Sequence, residues 1–306
     1  MRTVILKVLR HVMPGEFPKT EEEMQTDYRE YMNRLQFPPE AARVLLPLAD
    51  HRMEELGRQY LSGRLTWKEA LEAAGPDFGR QMMLIFVCFP GVIRRYEEEG
   101  IPEEVFWNSM MDLRCRLEEC QRIQGEWGTS DAAWYAGFLE LKRFGLGRLQ
   151  FEKTFFILDQ PWQCSGLTIH PRDPVVAIHI PSAGPLTEDL CLDAYRRAYD
   201  FFPEQRIGDH LVLVCNSWLL DPEYRTFLPP DSNILRFQQD FEILSLEKRD
   251  AFKDAWRVFG TEAERPLEEL PRKTSVQRGF ADFLTSGGKT GKGYGAFLWG
   301  RDGRIV

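Results

Sequence analysis

From Glu21 to about Gly125 apolar side chains recur every three or four positions between charged ones, the spacing that gives a helix one face for a core. Proline and glycine punctuate the pattern, predicting breaks at Phe37-Pro38-Pro39, Gly63, Gly75-Pro76, Pro90-Gly91 and Gly100-Ile101-Pro102. Leu56, Tyr60 and Leu61 share one helical face, and Val105, Phe106, Met110, Leu113 and Leu117 share another. This half reads as a helical bundle.

After the small polar linker 125–130, Ser130 is placed to cap a helix carrying Trp134, Tyr135, Phe138 and Leu141. The stretch from Arg143 to Gly147 reads as its stop, with Gly145 as the left-handed residue. The period then changes to two: Leu149, Phe151, Phe155 and Ile157 are apolar while Gln150, Glu152 and Thr154 are polar, as in a half-buried strand. Further strands are predicted over Gly166 to His170 and Val175 to Ile180, completing a meander around the turn Pro171 to Pro174. PSAGPLTEDL leads into a helix with Cys191, Ala194, Tyr195, Ala198 and Phe202 on its apolar face and Thr187 at its N-cap. Leu211 to Cys215 is a buried strand, Ser232 or Asp231 starts a helix with Ile234, Phe237 and Phe241 inward, and Thr274 with Gln277 forms a capping box for a helix over Val276 to Leu284. A Gly- and Lys-rich loop precedes a last strand around Gly295 to Trp299. The expectation is an all-helical domain over 1–128 and a mixed α/β (α+β) domain over 129–306.

Composition supports two cores: 306 residues exceed what one ordinary core organises, and 43% apolar with 12% aromatic residues provide enough to bury. The net charge of -8 repels polyphosphate and argues against nucleic acid as a partner, so a small anionic ligand would need local backbone donors or a few cations. The six cysteines follow no disulfide or metal-ligand spacing, which fits a reducing compartment and predicts no metal site. Lys7, Arg10 and His11 interrupt the apolar N-terminus too early for a secretory signal, and the apolar run Met82 to Ile93 falls short of the roughly 20 residues a membrane span needs. A cytoplasmic protein without a membrane partner is expected.

The stretches GFLELKRFGLGRLQFE (137–152), HIPSAGPLT (179–187), CNSWLLDP (215–222), SNILRFQQDF (232–241) and TSVQR (274–278) carry a resemblance to the GNAT N-acyltransferase superfamily, in its two-domain bacterial form with a helical N-terminal domain. The resemblance implies a mixed, mostly antiparallel sheet flanked by helices, with acetyl-CoA or another acyl-CoA as co-substrate. It also implies that the strand before the small-residue loop splays from the next strand to admit the pantetheine arm. The diphosphate would rest on backbone amides at the following helix N-terminus, an arrangement that needs small residues and gains from the helix dipole. Ile180, Ser182, Ala183, Gly184, Leu186 and Thr187 stand at those positions. The chain departs from the family's turn of Gln or Arg, two residues, Gly, one residue, then Gly or Ala. Pro185 removes an N–H, and Glu188 with Asp189 adds negative charge where phosphate would lie.

Acyl transfer to an amine needs a deprotonated nucleophile, a polarised carbonyl and a protonated leaving thiolate. Glu152 is a candidate base or amine anchor, against the alternative of a solvated strand carboxylate, and His179 is a second candidate base, against a histidine paired within the sheet. Asn216 and Ser217 end a buried strand, where open α/β sheets present ligand-binding groups; the alternative is that they turn the chain toward Trp218. The family's tyrosine acid is missing from SNILRFQQDF, leaving Ser217 or water to protonate sulfur, while Asn233 is placed either for a cofactor amide or as a helix cap. Lys289 and Lys292 are cations for cofactor phosphates or an acidic substrate, although Gly287-Gly288-Lys289-Thr290 lacks the earlier glycine of a P-loop. The expected activity is direct transfer of an acetyl or other short acyl group from acyl-CoA to an amine of a small molecule or peptide. The opposing expectation is a non-catalytic ligand-binding or interaction protein on a degenerate scaffold; no Gly-x-Ser-x-Gly elbow supports a hydrolase.

Overall fold

The computed structural model describes residues 21–306, and the N-terminal segment read above for a secretory signal lies outside them. The chain divides into two compact units at Lys142/Arg143.

In the first unit the helices are α1 (Glu21–Arg34), α2 (Pro39–Leu45), α3 (His51–Leu61), α4 (Trp67–Ala74), α5 (Phe78–Glu98), α6 (Glu103–Met110), α7 (Asp112–Gln124) and the single turn α8 (Ala136–Leu139). Side chains start several of them as the chemistry requires: Asp50, Thr66 and Asp77 each accept a first-turn N–H, and Thr66 with Glu69 closes a capping box. The break predicted at Pro90-Gly91 does not occur. Helix α5 runs through both residues, because its apolar stretch from Met82 to Phe89 is buried in the bundle and packing outweighs the hydrogen bond lost at proline. Gly91 is small for a reason, since a Cβ there would lie 2.6 Å from Leu61 of α3.

Residues 129–142 pack with this helical unit. Trp67 Nε1 donates to Ala132 O (2.8 Å), Tyr135 OH to the buried Asp112 (2.9 Å) and an Arg95 Nη to Leu139 O (2.9 Å). The single helix expected there, capped by Ser130, is instead a 3-10 turn over Ala132–Tyr135 followed by α8, without a side-chain cap. The left-handed residue that ends it is Leu141 (φ 56°), not Gly145.

The second unit contains β1 (Arg143–Leu146), β2 (Leu149–Phe155), β3 (Trp162–Cys164), β4 (Leu167–Ile169), β5 (Pro174–His179), α9 (Glu188–Phe201), β6 (Arg206–Ile207), β7 (His210–Ser217), α10 (Asn233–Gln239), β8 (Glu242–Lys248), α11 (Ala255–Phe259), α12 (Ser275–Thr285) and β9 (Gly291–Gly300). The main sheet has the order β1-β2-β5-β7-β9-β8, with β6 attached to β7 and β3-β4 a separate hairpin. All main-sheet pairs are antiparallel except β5-β7. Arg143 to Leu146, read above as a helix stop, is therefore the first strand; it pairs residue for residue with Leu149 to Glu152 across a two-residue turn at Gly147-Arg148. The strand expected at Gly166 to His170 exists but joins β3, so the predicted meander is two hairpins and a return strand.

Period-two alternation sets what each sheet face buries. Val175, Val212, Val214, Tyr294, Ala296 and Leu298 point to one side, where Phe156, Trp162 and Ile169 cover them. The other side carries Phe144, Phe151, Leu213 and Phe297; Tyr195 of α9 packs edge-on against Phe297, and Phe144 meets Phe201. The expected α9 face, Cys191, Ala194, Tyr195, Ala198 and Phe202, is buried there.

Candidate functional site

The β5-β7 ladder is short. Only Val176↔Leu213 and Ala177↔Val214 are in register, yet β5 continues to His179 and β7 to Ser217. Beyond Ala177 and Val214 each strand keeps its outer neighbour: Phe151↔Ile178 and Gln150↔His179 on one side, Cys215↔Gly295, Asn216↔Tyr294 and Ser217↔Gly293 on the other. Two strands each held from outside but not laddered to each other leave a wedge at their carboxyl ends, and main-chain groups line both of its edges.

Alternation places His179 and Asn216 on the same sheet face, one on each edge of the wedge, with Glu152 beside them on β2. Here the two sequence-predicted acid-base residues meet: His179 Nε2 lies 2.8 Å from Glu152 Oε2. Arg143, opposite Glu152 in the β1-β2 register, donates to the same oxygen from Nη2 at 2.7 Å and from Nε at 3.2 Å. Burial opposes ionisation of Glu152, but hydrogen bonds from His179 and Arg143 and the charge of Arg143 outweigh it and pull the carboxyl down to about 2. An ionised carboxylate only accepts, so Nε2 of His179 carries the proton of this bond. Arg143 is almost fully buried, at 8% side-chain exposure, whereas His179 and Glu152 keep 27% and 24%. Sequence pattern alone could not find Arg143, because its role depends on the β1-β2 hairpin.

After β5 come Ile180, half-buried, and the exposed Ser182, Ala183 and Gly184, with Leu186 and Thr187 half-buried before α9. Gly184 adopts a left-handed φ of 86°, which a glycine accepts without strain. The loop is held by Arg148 at the β1-β2 turn: Nη1 donates to Pro181 O (3.0 Å), Nη2 to Gly184 O (2.9 Å) and Nε to Pro185 O (2.8 Å). Thr187 occupies the N-cap position, but its hydroxyl turns to Asp189 and makes no capping bond to the backbone. Glu188 forms an ion pair with Arg236 of α10, so part of the acidity at this helix start is neutralised locally.

The remaining expected residues do not converge. Ser217 accepts from Leu219 N (3.2 Å) and caps the 3-10 turn at Trp218–Leu220, the local role weighed above. Ser232 caps α10, and Asn233 stands exposed at its first position. Lys289 is paired with Asp250 (2.7 Å), and Lys292 lies in β9 opposite Glu247. Tyr294, opposite Asn216 in β9, is 4% exposed within the apolar cluster around Phe156, and burial pushes its phenol up to about 12; it is core. Burial likewise pushes the Cys215 thiol at the wedge edge and the Cys191 thiol of α9 up to about 12, so neither is an activated nucleophile. Among the described residues all cysteines are free thiols, no group of His, Cys, Asp and Glu is arranged to hold a metal ion, and no helix is long and apolar enough to cross a membrane.

A mixed sheet with a wedge between two parallel strands, followed by a small-residue loop and a helix, defines an acyltransferase scaffold of the GNAT class. Residues 144–297 match the family model for the GNAT-like C-terminal domain and residues 26–141 that for the N-acyltransferase N-terminal domain. The chain belongs to the GNAT-like C-terminal domain family, in its two-domain N-acyltransferase form. Among solved structures it is similar to an acyltransferase in complex with decanoyl-CoA, at 24% identity and a TM-score of 0.70 over 96% of this chain and 94% of that one. It is similar also to an acyltransferase in complex with decanoyl-CoA and teicoplanin (24% identity, TM-score 0.69, 96% and 94% covered). A third likeness is to an acyltransferase mutant in complex with octanoyl-CoA (23% identity, TM-score 0.68, 96% and 94% covered). At these identities the likeness establishes the shared fold. No curated protein gives a significant sequence match.

Proposed function

We propose that this chain is an acyl-CoA-dependent N-acyltransferase that transfers its acyl group to an amine by direct attack. The observation that carries this reading is the wedge between β5 and β7 with the Glu152–His179 pair at its edge. In the wedge, the strand edges that face each other supply donors and acceptors for the amides of pantetheine, while Ile180, Ser182, Ala183, Gly184, Leu186 and Thr187 face the diphosphate. The thioester then lies near His179. The substrate amine gives a proton to His179 Nδ1, and its nitrogen attacks the thioester carbon. Glu152 holds the ring in the tautomer with Nδ1 unprotonated and stabilises the imidazolium that results. Collapse of the tetrahedral intermediate breaks the C–S bond, and solvent protonates the departing thiolate, since α10 offers no phenol. The raised thiols of Cys191 and Cys215 favour direct transfer over a covalent acyl-enzyme.

The acyl group on this reading is acetyl or a longer chain, and the acceptor is an amine on a small molecule or peptide. Similar solved structures hold octanoyl-CoA, decanoyl-CoA and teicoplanin, which supports acyl-CoA as donor and makes an amine-bearing glycopeptide a reasonable acceptor to try first. The acidic start of α9 and the missing phenol favour a second reading, a protein that binds the thioester without turning it over. Octanoyl-CoA at about 100 times its dissociation constant should add roughly 2.7 kcal/mol to stability in a thermal-shift experiment. Thiol release with teicoplanin, glucosamine or a lysine-containing tripeptide then separates the two readings. A shift without release supports binding alone, and no shift with octanoyl-CoA or acetyl-CoA removes both.

A further inference from the structure

The loop that faces the diphosphate in the proposed site lacks the family's usual turn, so something else must fix its shape. We infer that Arg148, from the β1-β2 turn, is the residue that positions this loop for the nucleotide diphosphate of the cofactor. The inference rests on the acyl-CoA reading given above.

Three of the guanidinium N–H groups are spent on three carbonyls of one five-residue segment, those of Pro181, Gly184 and Pro185. Arg is suited to this because its donors form a rigid planar fork; a lysine ammonium is a point donor that cannot span the same three oxygens in plane. Every peptide here is trans, so a carbonyl turned toward Arg148 turns the N–H of the next residue the opposite way. Binding Pro185 O therefore aims the Leu186 N–H away from Arg148. The N–H groups of Ala183, Gly184 and Leu186 donate to no other backbone group among the described residues. Arg148 thus gathers three carbonyls of the loop to itself and turns the Leu186 amide, just before α9, the opposite way, the polarity an anion requires.

The turn that carries Arg148 is itself fixed. Gly147 has φ 71°, and a Cβ there would stand 3.4 Å from side-chain atoms of Asp193 and Arg197 on α9. The hairpin tip therefore lies close against the helix that follows the loop, and Arg148 brings a positive charge to a helix start that otherwise carries Glu188 and Asp189. Glu188 already pairs with Arg236, and Asp189 accepts from Thr187. The molecule as a whole has a charge of -8, so attraction for a diphosphate must arise locally.

The test compares two donors that share a thioester and differ in the nucleotide diphosphate: octanoyl-CoA and octanoyl-pantetheine, each bound to the full chain and followed by calorimetry. In Arg148→Ala the octanoyl-CoA Kd should rise by about 10-fold or more, the scale of losing a charge-assisted anchor, while the octanoyl-pantetheine Kd stays within about 2-fold. Arg148→Lys, which restores charge but not the three-way fork, should recover only part of the loss. An equal loss on both donors would mean a general structural role and overturn the inference, as would no loss on either. Full recovery by Lys would overturn the positioning role in favour of charge alone. Should Arg148→Ala fail to fold, Arg148→Lys and Arg148→Gln carry the same comparison. If the wild-type chain binds neither donor, the acyl-CoA reading itself fails and takes this inference with it; wild-type binding without a donor-selective change sinks the Arg148 role alone.

Discussion

Replacing His179 with alanine is expected to lower kcat/KM for octanoyl-CoA and an accepted amine by about 10²- to 10⁴-fold, the range that a positioned general base supplies. Its melting temperature should change little, because the imidazole is partly exposed and Glu152, which it leaves behind, keeps the bond to Arg143. Glu152→Gln should cost less activity, about 10- to 100-fold, since the base remains but loses the acceptor that fixes its tautomer and supports its cation. The same substitution costs stability in a pH-dependent way. The folded Glu152 carboxyl titrates at about 2 against an ordinary 4.5, so its ionised form is favoured by folding. That contribution is whole above about pH 4.5 and fades as the pH falls toward about 2. The stability gap between wild type and Glu152→Gln in urea melts should therefore close as the pH falls from about 4.5 toward about 2. A gap that fails to close between about pH 4.5 and about 2 would contradict the Arg143–Glu152–His179 arrangement, and unchanged turnover in His179→Ala would remove His179 from the chemistry.

The second large effect is steric. A Cβ on Gly293 in β9 would sit 2.5 Å from Leu220 O and 2.8 Å from Leu220 Cβ, and Leu220 is completely buried in the turn after β7. Backbone cannot rotate out of the way as a side-chain tip can, so Gly293→Ala must displace either β9 or the turn that follows Ser217. Overpacking of this kind costs about 1–3 kcal/mol, and displacement of a central ladder places it at the upper end. Because Gly293 pairs with Ser217, octanoyl-CoA binding should weaken as well. Gly300→Ala on the same strand is the control: its nearest obstruction, at 2.8 Å, is the tip of the Asp302 carboxylate, which can swing aside. Urea unfolding of the two variants should differ by at least about 1 kcal/mol, and equal midpoints would contradict the packing described for the β7-β9 edge.

What could be read in the sequence was what local chemistry fixes. The Thr274–Gln277 capping box, the Ser232 cap and the buried face of α9 follow from side chains a few positions apart, and each stands where it was expected. Readings failed where tertiary context overrides a local signal. Pro90-Gly91 looks like a break, yet a buried apolar helix absorbs it. Arg143 to Leu146 looks like a helix end, because a four-residue strand is too short to show its period and its partner lies beyond a turn. The edge strand β8 was missed because it is largely exposed and its sequence, EILSLEK, carries no buried alternation. The site divides the same way. Glu152 and His179 could be singled out by residue type and place on a strand, but their 2.8 Å pairing, the Arg143 behind them and the grip of Arg148 on the loop are products of sheet register.

The gap between β5 and β7 is what the proposed chemistry depends on, and a crystal structure of the chain soaked with octanoyl-CoA tests that gap most directly. Pantetheine density running between Ile178-His179 and Cys215-Asn216, with the diphosphate against Ser182 to Thr187 and the thioester beside His179, is the predicted result. Density for the cofactor on another surface, with the two strand ends drawn together and closed, would contradict it.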